Sequence, residues 1–171
     1  MKKIISLFVA AISLAVTANA LHFGASAGYL VDGEEAYYTV RGGLTLKSTS
    51  AIIHSAELEL GYSELSDSGV NLEIIPLMAN YRAELTNGSR FSTYFGAGAG
   101  AARVKLGGFG VSDYDTVFAA QAFVGASFKP STEVSLNVGI RYIWIDDATL
   151  FGFTGEIGDD VAIEAGISFK F

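Results

Sequence analysis

Apolar side chains recur at every second residue over long stretches of this chain, and that period of two constrains the fold more than any other feature. From Val134 to Ile145 the even positions are Val134, Leu136, Val138, Ile140, Tyr142 and Trp144, while the odd positions begin Ser135, Asn137, Gly139 and Arg141. Towards the end of the chain Val161, Ile163, Ala165, Ile167, Phe169 and Phe171 alternate with Ala162, Glu164, Gly166, Ser168 and Lys170. Successive side chains of a strand point to opposite faces, so alternation this long predicts strands with one apolar and one polar face.

The same pattern runs through 21–31, 37–47, 52–63, 91–105 and 116–129. Residues 70–85 carry it with a change of phase near Ile74-Ile75-Pro76, which predicts a bulge, because proline donates nothing to a ladder. Eight strands result. Short connections at 47–50, 86–90 and 129–133 alternate with longer polar links at 31–36, 64–69, 106–115 and 146–160. The second short connection contains Asn87-Gly88, a strong hairpin signal. Tight turns at one end and longer loops at the other are the plan of an up-and-down meander with both termini at the turn end.

Residues 1–20 stand outside this plan. Lys2 and Lys3 precede a charge-free apolar run from Ile4 to Val16 and the small residues Ala18-Asn19-Ala20, the order of a secretory signal. The run is too short to cross a bilayer comfortably as a helix. The mature chain is therefore expected to start at Leu21, with 21–171 forming one barrel domain. The 11 basic residues against 18 acidic ones, with no Lys/Arg cluster, argue against nucleic acid as a partner. The lack of cysteine excludes a disulfide scaffold.

The polarity of the two faces separates a soluble barrel from a membrane one. The polar face carries Arg41, Lys47, Glu57, Glu59, Glu73, Arg82, Glu84, Arg141, Glu164 and Lys170, with the two signs in balance. Such a set suits paired burial in the narrow interior of eight strands better than a solvated exterior. A turn centred near Ser48-Thr49 sets Arg41 opposite Glu57, and the last hairpin can bring Arg141 close to Glu164, its long loop leaving the register open. The apolar face ends in aromatics: Tyr29, Tyr38, Tyr62, Phe118, Tyr142 and Trp144 towards the loops, and Phe23, Phe91, Phe128, Phe169 and Phe171 towards the turns. Two aromatic belts around an apolar band mark a lipid-facing exterior. The expected fold is all-β, an eight-stranded antiparallel up-and-down transmembrane β-barrel with both termini periplasmic, in the outer membrane of a Gram-negative cell.

Glu164-Ala-Gly166-Ile-Ser-Phe169-Lys-Phe171 resembles the C-terminal signal of outer-membrane barrels, with aromatics third from last and last. Ile75-Pro-Leu-Met-Ala-Asn-Tyr-Arg82 and Tyr94-Phe-Gly-Ala-Gly-Ala-Gly100 are similar to the central hairpin of small opacity-type and OmpA-like barrel proteins. The resemblance covers 21–171. It implies that the barrel assembly machinery reads the strand ending in Phe171, and that outer-membrane lipid and lipopolysaccharide surround a monomeric barrel. The sequence stops at Phe171, so the peptidoglycan-binding domain that follows the barrel in OmpA proper is expected to be absent. Members differ mainly in their loops, so a structural or surface-interaction role without catalysis is expected, with a small cation-preferring pore as the alternative. A lipid-modifying enzyme comes third.

Several motifs carry no chemistry. Gly96-Ala-Gly98-Ala-Gly100 lacks the spacing and following helix of a dinucleotide fingerprint and reads as small residues on a tightly curved strand. Asn87-Gly-Ser89 matches a glycosylation sequon but reads as a turn. His22 and His54 fall near the turn end on non-neighbouring strands, and no loop holds a His, so no Ser/His pair can face the outer leaflet. No catalytic, cofactor-binding or metal-ligating residues are expected. Most acids gather in or beside the longer links: Asp32, Glu34, Glu35, Glu64, Asp67, Asp113, Asp115, Asp146, Asp147, Glu156, Asp159 and Asp160. They read first as a solvated rim and second as a site for a divalent cation or a cationic ligand, although no loop has calcium-loop spacing. Mass analysis of membrane-extracted protein should show a chain starting at Leu21 that migrates in a heat-modifiable way on gels. Recovery as a soluble periplasmic protein would contradict this reading.

Overall fold

The computed structural model describes residues 21–171 apart from Ser68 and Phe109, so the expected signal segment lies outside the described residues. Strands β1 (Leu21–Leu30), β2 (Glu35–Ser48), β3 (Ile52–Asp67), β4 (Val70–Thr86), β5 (Phe91–Gly108), β6 (Val111–Phe128) and β7 (Val134–Ile145) follow one another in the chain. A short hairpin of β8 (Ala148–Leu150) and β9 (Phe153–Gly155) then precedes β10 (Gly158–Lys170). Among the described residues, the eight long strands close into one barrel in the order β1-β10-β7-β6-β5-β4-β3-β2. Every neighbouring pair is antiparallel, and the first strand meets the last from His22 opposite Lys170 to Leu30 opposite Ala162. Closure leaves no unpaired edge, which is what a sheet needs to exist in hydrocarbon.

The predicted faces hold. Leu58, Val124 and Val138 point outward and are 52%, 57% and 59% exposed, whereas Ser127, one register step from Ala126, is 1% exposed in the lumen. The aromatic belts lie where the alternation placed them. Phe118 packs on Trp144 at the loop end, and Phe91 on Phe128 and Phe23 on Phe171 at the turn end.

The Gly-Ala run of β5 is explained by close approach. Its glycines face the lumen, where a Cβ on Gly98 would collide with Asn80 Oδ1 and one on Gly100 with the Leu77 carbonyl oxygen. Only glycine lets large lumen side chains and the neighbouring backbone come this near.

Three expectations are corrected. The bulge expected near Ile74-Ile75-Pro76 is absent: Leu60 pairs with Leu77 and Ser63 with Ile74 in one continuous register, and β5 pairs through Pro76. The apparent change of phase comes from the lumen itself, which turns apolar towards the loop end, so that Leu72, Ile74, Pro76 and Met78 face inward. Glu73 consequently lies on the outer face, opposite Lys105 at 3.9 Å, and not in the lumen.

The second correction concerns β2 and β3. Their turn is centred later, with Thr49 bonded to Ile52, and the register shifts between Thr45 and Lys47. Arg41 therefore stands opposite Glu59, and Glu57 opposite Gly43. The displacement is an even number of residues, so both carboxylates keep the lumen face.

The third concerns the loops. Polar residues beyond the membrane still pair, so β3 and β4 run on to Asp67 opposite Val70, and β5 and β6 to Gly108 opposite Val111. Gly69 and Gly110, both at φ 85°, close those hairpins, and only 146–157 remains a long connection.

A charge at mid-depth on the lipid face of such a barrel costs roughly 2–4 kcal/mol. Leu58→Arg, Val124→Arg and Val138→Arg should each lose about that much in urea unfolding from lipid vesicles. Wild-type stability in all three would mean that the faces are inverted.

Candidate functional site: the lumen and its loop-end mouth

Arg41, Arg82 and Arg141 and the carboxylates Glu57, Glu59 and Glu164 are all buried inside the barrel, three charges of each sign. They come from lumen-facing positions of five strands, with Glu57 and Glu59 both on β3, so most of the pairing is built by closure and not by local sequence. Arg141 is the centre. Its Nη1 donates to Glu59 Oε1 at 2.5 Å and to Gln121 Oε1 at 2.7 Å, and its Nη2 donates to Glu59 Oε2 at 3.0 Å and Glu164 Oε1 at 3.1 Å. Gln121 in turn donates to Glu59 and, at 2.7 Å, to Asn80 Oδ1. Fork-on-carboxylate geometry of this kind gives strong, directional hydrogen bonds. The expected proximity of Arg141 and Glu164 is thus met, and Glu59, rather than Arg41's expected partner Glu57, completes the cluster.

A second polar group lies below it, towards the turns. Arg82 reaches Ser127 Oγ at 3.3 Å and Asn137 Oδ1 at 3.4 Å and stacks over the Tyr94 ring at 3.8 Å. Asn137 donates to Ser168 at 3.0 Å, and Arg41 donates to the same hydroxyl at 3.3 Å. Glu57 faces His22, whose Nε2 is 2.9 Å from Oε1, while Glu84 takes Lys129 and the Ser92 hydroxyl. His54 lies on the outer face with Nδ1 at 2.5 Å from the Tyr81 hydroxyl. The two histidines are therefore on opposite faces of the wall, and neither has a serine hydroxyl as a hydrogen-bond partner among the described contacts.

Above the Arg141 cluster the lumen is apolar. Leu30, Tyr37, Met78, Val104, Ile143 and Ile145 pack into one buried group with Ala102, Ala119, Ala148 and Ala162, and Leu72, Ile74, Val117, Leu150 and Ile157 lean on it. Ala148 and Leu150 belong to β8, so the long connection folds inward onto the β5–β6 side of the lumen. The pattern signal for this plug was present: odd positions of β7 turn apolar after Arg141, and even positions of β4 are apolar before Asn80.

Several loop acids have structural work. Asp160 accepts the amides of Asp32 at 3.0 Å and Gly33 at 2.8 Å, holding the β1–β2 turn. Asp113 and Asp115 of β6 accept the amides of Phe151 at 2.6 Å and Thr149 at 2.8 Å, clamping the β8–β9 hairpin. Among the described residues, no three His, Asp or Glu side chains converge as metal ligands.

Removing one member of a buried ion pair costs about 3–5 kcal/mol, whereas replacing the whole set by apolar groups is often nearly neutral. Arg141→Met should therefore destabilise the barrel in vesicle unfolding more than Arg141→Met combined with Glu59→Leu and Glu164→Leu. A triple variant no better than the single one would show that the cluster is not the electrostatic unit described.

The profile of the family described as "Outer membrane protein beta-barrel domain" matches residues 4–171. No curated protein sequence matches the chain. Among solved structures, Neisserial surface protein A is similar at a TM-score of 0.69 and 14% identity, over 89% of this chain and 96% of that one. Ail, the attachment invasion locus protein of Yersinia pestis, gives 0.58 at 12% identity over 89% and 97%. The outer membrane enzyme PagL gives 0.51 at 15% identity over 88% and 98%. At these identities the likeness is one of fold, shared by proteins named for surface location, attachment and catalysis alike. The closed barrel, its lipid-facing exterior and the profile match together place the chain in the outer membrane, as a member of the outer membrane protein beta-barrel domain family.

Proposed function

We propose that this barrel is a sealed, non-catalytic outer-membrane protein that acts through its loop-end surface, in a structural or surface-interaction role. The carrying observation is the double closure of the lumen, by the Arg141–Glu59–Glu164 cluster and by the apolar plug above it. An ion entering from the turn end meets paired charges and then an apolar stretch, and hydrophobic constrictions stop ions by excluding water. This favours a closed barrel over a cation-preferring pore. Catalysis is disfavoured by His22 and His54, whose partners are Glu57 and Tyr81 and which sit at the turn end, away from the loops.

In this reading the termini are periplasmic, the loop end faces outward, and the assembly machinery recognises the last strand through Phe171. The barrel is a monomer among outer-membrane lipid and lipopolysaccharide. Purified protein in planar bilayers should show no stable conductance, at most small and infrequent openings. Steady porin-sized current from the monomer would overturn the proposal.

A further inference from the structure

At the loop end the plug does not fill the barrel to its rim. A cavity of about 300 Å³ remains above it, with Leu72 and Ile74 of β4 and Ile143 and Ile145 of β7 among its apolar lining. Asp32, Glu35 and Asp160 line the same cavity from the side of β1, β2 and β10, and no Lys or Arg lines it. Its volume is at the small end of the range for ligand pockets.

We infer that this cavity binds a small cationic amphiphile, an ammonium or amidinium group carrying a short alkyl or aryl body. The charge and polarity of the lining choose between ligand classes. A neutral apolar molecule would cover the floor but would dehydrate the carboxylates with nothing in return. An anionic amphiphile would be repelled by them. A bare cation would gain the carboxylates and leave the apolar floor wet, and no three acidic groups converge to hold a metal ion among the described residues. A cationic amphiphile meets both requirements: its head makes charge-assisted hydrogen bonds and its body covers the apolar floor. The acidic wall is also held in position. Asp160 accepts the Asp32 and Gly33 amides, and the lumen-facing parity of β2 directs Glu35 inward.

The site does not rest on the lumen being sealed. A conducting barrel would keep this mouth and its lining, so the two proposals fail separately. The test uses the full barrel in phosphatidylcholine nanodiscs with isoleucine and leucine methyl NMR, titrated with hexylammonium, hexanoate and tetramethylammonium, all soluble enough to limit partition into lipid. Hexylammonium should shift the methyls of Leu72, Ile143 and Ile145 saturably, with the other two probes much weaker. Glu35→Gln should weaken hexylammonium on the order of tenfold, the scale of one charge-assisted hydrogen bond, while leaving lipid-facing Leu58 unmoved. Hexanoate binding as well as hexylammonium, shifts that never saturate, no shift at all, or an unchanged affinity in Glu35→Gln would each overturn the inference.

Discussion

Every backbone amide and carbonyl that enters hydrocarbon must find a partner within the protein, and for strands the solution is a ladder that returns to its own start. The pairing of β1 with β10 is that return. Once it exists, the rest of the design narrows quickly. Outward side chains have to be apolar, which fixes the alternation. With only eight strands, the interior is just wide enough for side chains to fill it, and buried side chains pack this lumen. The glycines of β5 belong to the same constraint, because Asn80 and the Leu77 carbonyl already occupy the space their side chains would need.

The lumen is filled in two different ways, and each depends on the other. Charges are tolerable there only when paired and hydrogen-bonded, since an isolated buried ion carries a desolvation penalty of several kcal/mol. Arg141 meets that condition through two carboxylates and Gln121. The plug above it limits how much water reaches the cluster from the loop end. Excluding water strengthens the pairs, and the pairs form the floor on which Tyr37 and the plug rest, with the Arg141 guanidinium 6.0 Å from the Tyr37 ring centroid.

Strand number, most of the facing, the aromatic belts and the turns at Asn87-Gly88 and 129–133 could be read from the sequence, because period-two alternation and turn chemistry are local signals. Partner identity could not. The Arg41–Glu59 register depends on a shift between Thr45 and Lys47 that no residue there announces, and Arg141 finds Glu59 across the lumen from a strand far away in sequence. The bulge expected at Ile74-Ile75-Pro76 failed for a more instructive reason. Alternation assigns a face only while one face stays polar, and near the loop end the lumen face becomes apolar too. The signal that misplaced Glu73 was therefore the signature of the plug. Loop lengths were overestimated on the same local evidence, since polar composition marks exposure to water and not the end of pairing.

The loop end then carries most of the freedom left in the molecule. Within the membrane, lipid, ladder and lumen each restrict what a side chain can be, and proteins only 12% or 14% identical to this one still close the same barrel. Beyond the belts those restrictions lapse, yet described residues there are held by specific hydrogen bonds. Asp160 ties down the β1–β2 turn, and Asp113 and Asp115 hold the β8–β9 hairpin, each by accepting backbone amides. Acids that hold the loops in place give the mouth a defined form and negative sign, and the proposed selectivity for a cationic amphiphile rests on that form.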